Sequence, residues 1–204
     1  MADSGCIYIG FGAESASPAV LDKMGKGGFM LAGGTVSING FEFPRTMVEG
    51  IRNTWNAGIH ANCTWIMGYP GETLDDLKTS VGFIAWQQEE ITRGLTPGTA
   101  KFEQMKESVN TRMFTATAYP GTDMFKHPMV REKLAQIFDI KFDEMGKPIA
   151  DEAFRTYVLE LNDATKLLTG SDGEPLNFSD IPQEQFIAAR RLSDEGRTLE
   201  ILDL

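Results

Sequence analysis

Three short apolar segments, each ending in glycine or a Pro-Gly turn, recur along the first 125 residues. They cover residues 6–12 (CIYIGFG), 59–69 (IHANCTWIMGY) and 109–121 (VNTRMFTATAYPG). Short apolar runs bounded by turn residues are typical of strands that are buried on both faces. The pattern therefore predicts three strands, and the last of them is rich in β-branched residues.

Helical spacing fills the intervals between these predicted strands. Pro18 follows a potential N-cap at Ser17, so a helix is expected to begin there. A second helix is predicted near residues 44–57, where large apolar residues recur at every fourth position. A third is predicted after Thr73, with Asp76 as its capping-box partner. Strands that alternate with helices favour an α/β fold with parallel crossovers.

A glycine-rich stretch over residues 25–43 interrupts this alternation. It predicts a long loop with a small hairpin around Asn39 and Gly40. Connections of this length are uncommon in compact domains, which points to a role in function.

The pattern changes near residue 128, from where only helices are predicted. They cover residues 130–138, 152–168 and 184–192, and a turn-rich connector separates the last two. We therefore predict a first domain over residues 1–127 and an acidic helical extension over residues 128–204.

Composition and charge narrow the classes of function. The chain has 204 residues, of which 42% are hydrophobic, and this is enough for a folded core. Eight of the ten net negative charges fall in residues 139–204, so neither nucleic acid nor an anionic membrane is expected as a partner. The longest apolar run, residues 81–86, is too short to cross a bilayer.

The cysteines and the first residues predict where the protein works. The two cysteines lie 57 positions apart, so neither a disulfide framework nor a zinc site is expected. The first five residues lack the basic region of a signal peptide. A reducing, cytoplasmic location is therefore predicted.

The first glycine-rich turn, GFGAES, brings two polar side chains to the end of a predicted strand. Gly10 and Gly12 would let a ligand approach the backbone closely. Glu14 and Ser15 offer a carboxylate and a hydroxyl that suit a ribose or an amino group. An ordinary strand-to-loop turn with a solvated glutamate explains the same residues.

Two similar turns follow the second and third predicted strands. The backbone amides of GYPGET, residues 68–73, lie at a helix start and suit an anion or an adenine edge. In YPGTD, residues 119–123, a type II turn is expected, with a helix cap at Thr122 or Asp123. Capped strand–turn–helix junctions without a ligand explain both equally well. Because parallel strands end at one edge of a sheet, where α/β proteins bind ligands, all three turns are expected there.

Together the three turns are more specific than any one of them. The segments 5–28 (GCIYIGFGAESASPAVLDKMGKGG), 47–84 (which contains MGYPGET) and 113–125 (MFTATAYPGTDMF) resemble the second half of the radical S-adenosylmethionine (radical SAM) core. The similarity is greatest to the cobalamin-binding branch of that superfamily. The resemblance implies an α/β fold, namely a parallel-strand, partial TIM-like (β/α) barrel, here followed by a C-terminal helical extension.

The resemblance also implies a binding site for S-adenosylmethionine. Glu14 and Ser15 match positions that make polar contacts to this cofactor, residues 66–72 match the segment beside its adenine, and residues 119–122 match a strand end near adenine and substrate. The residues implied to bind the cofactor are Gly12, Glu14, Ser15, Ile66, Gly68, Tyr69, Pro70, Gly71, Glu72, Tyr119, Pro120, Gly121 and Thr122. No residue is assigned as catalytic, and none as a metal ligand.

The chain departs from the family pattern in one large respect. The family's first half carries three cysteines, spaced CxxxCxxC, that hold a [4Fe–4S] cluster, whereas neither Cys6 nor Cys63 lies in such a motif. Residue 6 begins what looks like the fourth strand of that core, and the cobalamin-binding domain that usually precedes the core has no counterpart here. Reductive cleavage of S-adenosylmethionine needs an electron from the cluster, so the chain alone is not expected to perform it.

A half barrel would leave a strand edge exposed, which predicts a partner. We expect either a chain that carries the first half with CxxxCxxC, or self-association. The predicted function is the C-terminal part of a radical SAM enzyme that acts on an unknown substrate, with methyl transfer as one outcome and cobalamin as a further cofactor implied by the resemblance alone. The alternatives are a non-catalytic module that binds a nucleotide, S-adenosylmethionine or another protein, and an inactive fragment.

Overall fold

A computed structural model of the chain describes residues 1–161, 168–170 and 173–204. Its five strands are β1 (Tyr8–Glu14), β2 (Thr35–Ile38), β3 (Phe41–Pro44), β4 (His60–Met67) and β5 (Met113–Thr115). The α-helices are α1 (Pro18–Lys23), α2 (Gly27–Met30), α3 (Arg45–Asn56), α4 (Leu74–Thr92), α5 (Ala100–Glu107), α6 (Asp123–Lys126), α7 (Pro128–Phe138), α8 (Glu152–Glu160) and α9 (Gln183–Asp194). Short 3₁₀ segments cover Ala2–Ser4 and Thr198–Asp203.

The main sheet has three parallel strands in the order β1-β4-β5. Helix α3 lies between β1 and β4 in the chain, and α4 and α5 lie between β4 and β5, as expected for parallel crossovers. The fold is thus mixed α/β with a parallel sheet. Within the described residues the sheet is open, and no closed barrel forms.

The two faces of this sheet have different surroundings. On one face the β4 residues Ala61, Cys63, Trp65 and Met67 share an apolar cluster with residues of α3 and α4. On the other face Gly10, Gly12 and Thr64 are exposed, together with Tyr8 and Phe114. One face is therefore covered by helices, whereas the opposite face is open to solvent in the described chain.

The two edges of the sheet also differ. At β5 the side chains of α9 take the place of a further strand, because Met113 N donates to Ser193 Oγ at 2.9 Å and Arg190 Nη1 donates to Met113 O at 3.3 Å. Arg190 is buried and forms two 2.8 Å hydrogen bonds to the carboxylate of Asp194. The outer edge of β1, in contrast, pairs with no strand among the described residues.

Several local predictions are confirmed. Ser17 caps α1 by accepting from Val20 N, and Thr73 and Asp76 form the capping box of α4. The predicted hairpin joins β2 to β3 through Asn39 and Gly40, which have φ values of 52° and 84°. These angles suit the tight turn that connects two antiparallel strands.

Other predictions were wrong in extent. The stretch 25–43, predicted as a long loop with a small hairpin, contains helix α2 in addition to that hairpin. The third strand spans three residues, because Asn110 leaves the ladder: its backbone N–H donates to Asn62 Oδ1 at 2.7 Å and its side-chain amide donates to Cys63 O at 2.9 Å. Helix α5 was missed because its sequence is polar and none of its residues is buried.

The C-terminal part contains the three predicted helices, as α7, α8 and α9. Helix α8 ends at Glu160, and the predicted continuation over residues 162–167 lies outside the described residues. Phe186 and Leu192 of α9 join the apolar cluster of the sheet, whereas Leu134 of α7 and Tyr157 of α8 belong to a second cluster. The predicted boundary between a first domain over residues 1–127 and a helical extension over residues 128–204 stays a prediction. Among the described helices, none has the length and apolar character that a bilayer span requires.

Candidate functional site

The turns after β1, β4 and β5 lie next to one another at the carboxyl edge of the sheet. Lys23 of α1 connects the first two turns, since its Nζ donates to Gly71 O and its backbone O accepts from the Tyr69 hydroxyl at 3.4 Å. Beyond β4 and β5 the ladder continues through a 2.8 Å hydrogen bond from Ala116 N to Met67 O. The structure therefore brings together the three segments that the sequence singled out.

Glu14 ends β1 in an unusual backbone conformation. Its φ of 63° lies in the left-handed region, and the pairing of β1 with β4 is irregular between Gly12 and Glu14. A non-glycine residue in this region costs about 1–2 kcal/mol, and such strain is concentrated at functional sites. This conformation marks Glu14 as a residue that the surrounding structure holds in place.

The Glu14 carboxylate forms an ion pair with Lys26 above the exposed face of β1. Lys26 Nζ lies 3.0 Å from Glu14 Oε1 and 2.9 Å from Gly12 O. A Cβ atom on Gly12 would lie 3.1 Å from Glu14 Oε1, so the carboxylate covers the glycine closely. The side chains of Glu14 and Lys26 retain 23% and 38% of their exposure, and both are therefore accessible to a ligand.

Ser15, the next residue, is fully buried. Its Oγ lies 3.1 Å from Ser80 Oγ of α4 and accepts from Ser17 N at 3.1 Å. These contacts join the first turn to α4 and α1. In this structure the hydroxyl of Ser15 is engaged within the chain, whereas the carboxylate of Glu14 lies at the surface.

Glu72 in the second turn is also fully buried. Its Oε2 accepts from Gly68 N at 2.6 Å and from Tyr69 N at 3.3 Å, while its Oε1 has no partner among the described residues. Burial raises the pKa of Glu72 to about 8, and the charge of Asp76 acts in the same direction. The two backbone hydrogen bonds and the charge of Lys23 lower the pKa, but they do not outweigh burial. A neutral carboxyl fits this position, because an ionised oxygen without a partner is costly to bury. Glu72 therefore stabilises the turn by accepting hydrogen bonds from its backbone amides.

The remaining residues of the second turn differ in exposure. Gly68 is buried at φ 86°, and a Cβ there would lie 2.9 Å from the Phe186 ring of α9. Ile66 and Tyr69 are half-buried and pack on the second apolar cluster. Tyr69, Pro70 and Gly71 line a cavity of about 490 Å³, together with Lys23, Asp123, Met124, His127, Met129 and Asp180.

The third turn forms a hydrogen-bonded reversal and a helix cap. Thr122 N donates to Tyr119 O at 3.2 Å, and Gly121 has φ 90°, as expected for a type II turn. Thr122 Oγ1 accepts from Phe125 N and so caps α6, as predicted. Tyr119, Pro120 and Gly121 are exposed. Of the thirteen predicted binding residues, Gly12 and the four residues of this turn are exposed, whereas Glu14, Ile66, Tyr69 and Gly71 are half-buried.

Part of the chain is similar to a methyltransferase. Over 135 residues it is 27% identical to an uncharacterized methyltransferase of Pyrococcus horikoshii. The aligned region covers 66% of this chain and 22% of that protein, so the chain spans about a fifth of the relative's length. No protein-family model matches the chain.

The cysteines have no metal-binding arrangement. Cys63 is buried in β4, and burial raises the pKa of its thiol to about 12, which disfavours the thiolate that a metal requires. Cys6 lies before β1, and its Sγ contacts Tyr8 O at 3.4 Å. In the described part of the chain, no three His, Cys, Asp or Glu side chains gather as a metal-ligand set.

Sequence patterns missed the two lysines that organise this edge. Lys23 and Lys26 are ordinary surface residues by type, and no motif distinguishes them from the other lysines. Lys23 and Lys26 lie five and eight positions after Pro18, which places them near the first turn along the chain, but their contacts with Gly71 and Glu14 depend on the tertiary fold.

Proposed function

We propose that the carboxyl edge of the sheet binds the adenosyl group of S-adenosylmethionine, and that the chain is the second half of a radical SAM-type core that takes part in methyl transfer. The observation that carries this proposal is the meeting of the three turns beside the open strip of Gly10 and Gly12. The similarity to a protein named as a methyltransferase supports it independently.

The residues present suit an adenosyl ligand. Gly10 and Gly12 are exposed and have no side chain, so a ligand can approach the backbone of β1 closely if the Tyr8 ring and the Glu14 carboxylate, which lie over them, move aside. The Glu14 carboxylate is an acceptor for the ribose hydroxyls, which are donors. Ile66 and Tyr69 offer apolar surface for the adenine ring, and the turn over residues 119–122 would border it on the third strand.

The residues of this chain do not fit an iron–sulfur cluster. Such clusters are held by several cysteine thiolates, whereas the chain has two cysteines and one of them is a buried thiol with a raised pKa. We therefore assign no step of the chemistry to a cluster held by this chain. Cobalamin enters only through the family that the turns resemble, and no residue here is assigned to it.

We further propose that a chain segment with the CxxxCxxC motif pairs with the free edge of β1. Unpaired strand edges favour addition of another strand, and Ile7 and Tyr8 at the start of this edge are 79% and 55% exposed. Nearly four fifths of the methyltransferase relative lies outside the aligned region, which leaves ample length for such a unit. Self-association through the same edge is the alternative.

Titration calorimetry tests the adenosyl site on the chain alone. S-adenosylmethionine, S-adenosylhomocysteine and 5′-methylthioadenosine share the adenosyl group, so all three are expected to bind. Replacement Glu14→Gln should weaken all three, because it removes the charge that accepts from ribose. Absence of binding by any adenosyl compound would contradict the proposal.

A second candidate is a non-catalytic module that binds S-adenosylmethionine, and the presence of only two cysteines favours it. Co-expression with a CxxxCxxC-bearing chain and anaerobic cluster reconstitution separates the two. Association of the chains with formation of 5′-deoxyadenosine supports the enzyme. Ligand binding without association or turnover supports the module, and a homodimer supports self-association.

A further inference from the structure

The tip of the β2–β3 hairpin contains the one Asn-Gly pair of the sequence. Asn39 and Gly40 are both exposed, and their positive φ values are those that the tight turn requires. A Cβ on Gly40 would meet no described atom within 4 Å, and within the described chain the Gly40 N–H donates to no backbone oxygen. The backbone nitrogen of Gly40 is therefore unshielded, and it directly follows the residue that carries the side-chain amide.

We propose that Asn39 is a site of spontaneous deamidation and that Glu89 of α4 slows the reaction. The Gly40 nitrogen loses its proton and attacks Asn39 Cγ, the new C–N bond closes a succinimide ring, and ammonia leaves with that proton. Water then opens the ring at either carbonyl and gives aspartate or isoaspartate, so no oxidant and no further reactant is needed. Glycine hinders this attack least, because it has no side chain.

A hydrogen bond to α4 holds the amide that would react. Asn39 Nδ2 donates to Glu89 Oε2 at 2.9 Å, and both residues are exposed. This contact restricts the side-chain rotation that brings Asn39 Cγ to the Gly40 nitrogen. The negative charge of Glu89 also opposes the loss of a proton from that nitrogen, because it disfavours a second negative charge nearby. Both effects protect the turn.

Deamidation replaces this protecting contact by a repulsion. Residue 39 loses its amide donor and gains a carboxylate that faces Glu89, and like charges repel. Behind the turn the hairpin packs on α4, since a Cβ on Gly82 would lie 2.6 Å from the Phe41 ring. The modification therefore loosens the hairpin from α4, beginning at its tip.

Peptide mapping by mass spectrometry tests the site on the folded, full chain. After incubation under mildly alkaline conditions, aspartate and isoaspartate are quantified at each asparagine, and Asn39 should convert first. Asn53 and Asn56 are the internal controls, because both are exposed but lie in α3 and are followed by residues that have side chains. Conversion of Asn39 no faster than at these two positions would overturn the inference.

Replacement Glu89→Ala tests the protection. It should speed the conversion of Asn39 about 2- to 10-fold, the range for the loss of one hydrogen bond. Glu89→Gln keeps an acceptor oxygen without the charge and should give a smaller increase. Glu49→Ala is the matched control, because Glu49 is exposed and lies on α3, and it should leave the rate unchanged. With circular dichroism showing that the variants are folded, an unchanged or slower conversion in both Glu89 variants would overturn the role of Glu89.

Replacement Asn39→Asp imitates the aspartate product and tests the loosening. It should lower the midpoint of thermal unfolding, and the double variant with Glu89→Gln should recover most of the loss, because the repulsion is removed. An unchanged midpoint in Asn39→Asp would overturn the loosening. These experiments measure mass and stability rather than ligand binding, so their outcome is independent of the proposed adenosyl site.

Discussion

Two glutamates follow strands of the same sheet, yet the structure gives them opposite environments. Glu14 ends β1 at the surface, with a strained backbone and an ion pair to Lys26. Glu72 follows β4, is fully buried, and binds the backbone amides of its own turn. Both occupy a glycine-rich turn at the carboxyl edge, and both belong to the site that we propose for S-adenosylmethionine.

The difference separates a ligand contact from the structure that supports it. The partly exposed carboxylate of Glu14 can exchange Lys26 for a ligand. The buried carboxylate of Glu72 cannot do so, because leaving its two backbone amides would leave them without a hydrogen-bond acceptor. We therefore expect changes at Glu72 to act on folding and changes at Glu14 to act on binding. The predictions below test this division, from the largest expected effect to the smallest.

Replacement Glu72→Ala should cause the largest loss of stability. It removes the acceptor for Gly68 N and Tyr69 N and leaves space in a buried turn, so we expect a loss of about 3–5 kcal/mol. Chemical denaturation at pH 5 measures it, because at pH 7 the raised pKa of Glu72 already offsets much of this contribution. The control Glu72→Gln keeps an acceptor oxygen and should lose about 1 kcal/mol or less. Equal losses in the two variants would argue against the hydrogen-bonding role.

Replacement Gly68→Ala tests the packing of the same turn against α9. The new Cβ would meet the Phe186 ring at 2.9 Å and force a side chain into φ 86°, so about 2–4 kcal/mol should be lost. Gly121→Ala is the control, since Gly121 has φ 90° and, in the part of the chain that the structure describes, no atom lies within 4 Å of where its Cβ would be. It should cost about 1–2 kcal/mol, from the backbone alone. If both variants lose the same amount, contact with Phe186 is not important.

The third prediction concerns pH. Burial raises the pKa of Glu72 from 4.5 to about 8, so between these values the unfolded chain has released a proton that the folded chain retains. The stabilisation by the neutral carboxyl is complete below pH 4.5 and is lost as the pH rises to about 8. From pH 5 to 8 we expect the wild type to lose about 2–4 kcal/mol relative to Glu72→Gln.

Denaturation of both proteins across this range measures that difference. Groups that the two proteins share, including the two histidines, contribute equally to both pH profiles and do not affect the difference. Asp76 does not interfere: burial raises its pKa, but hydrogen bonds from Ser17 and Thr73 outweigh this and hold it below its ordinary value, so it titrates at lower pH. Parallel pH profiles for the wild type and Glu72→Gln would mean that Glu72 is ionised in the folded protein.

Much of the fold could be predicted from local signals. The caps at Ser17 and Thr73 and the turn at Asn39 and Gly40 are short-range features, and each was confirmed. The late start of β5 at Met113 could not be predicted, because the backbone and side chain of Asn110, which precedes it, bond to Asn62 and Cys63 of β4 in place of the regular ladder. The covering of the β5 edge by α9 depends on residues about 80 positions apart and leaves no local signal.

The candidate site was predictable in its backbone and not in its side chains. Glycine, proline and capping residues mark the three turns, since these residues have specific conformations. The division between Glu14 and Glu72 could not be foreseen, because burial depends on which helices pack over each turn. Lys26 was missed for the same reason, since its contact with Glu14 forms only when α1 returns towards the end of β1.

The smallest effects on stability are expected at the surface pair itself. Lys26→Met and Glu14→Gln each remove an ion pair whose partners are partly exposed, so each should change the free energy of unfolding by less than about 1 kcal/mol. Thermal and chemical denaturation of both variants measure this beside Glu72→Ala. A loss of several kcal/mol at Lys26 or Glu14 would mean that the pair serves the fold, and the contrast between the two glutamates would then fail. Near-neutral stability of both variants, together with the weaker binding of adenosyl compounds expected for Glu14→Gln, would assign the end of β1 to binding and the turn after β4 to its support.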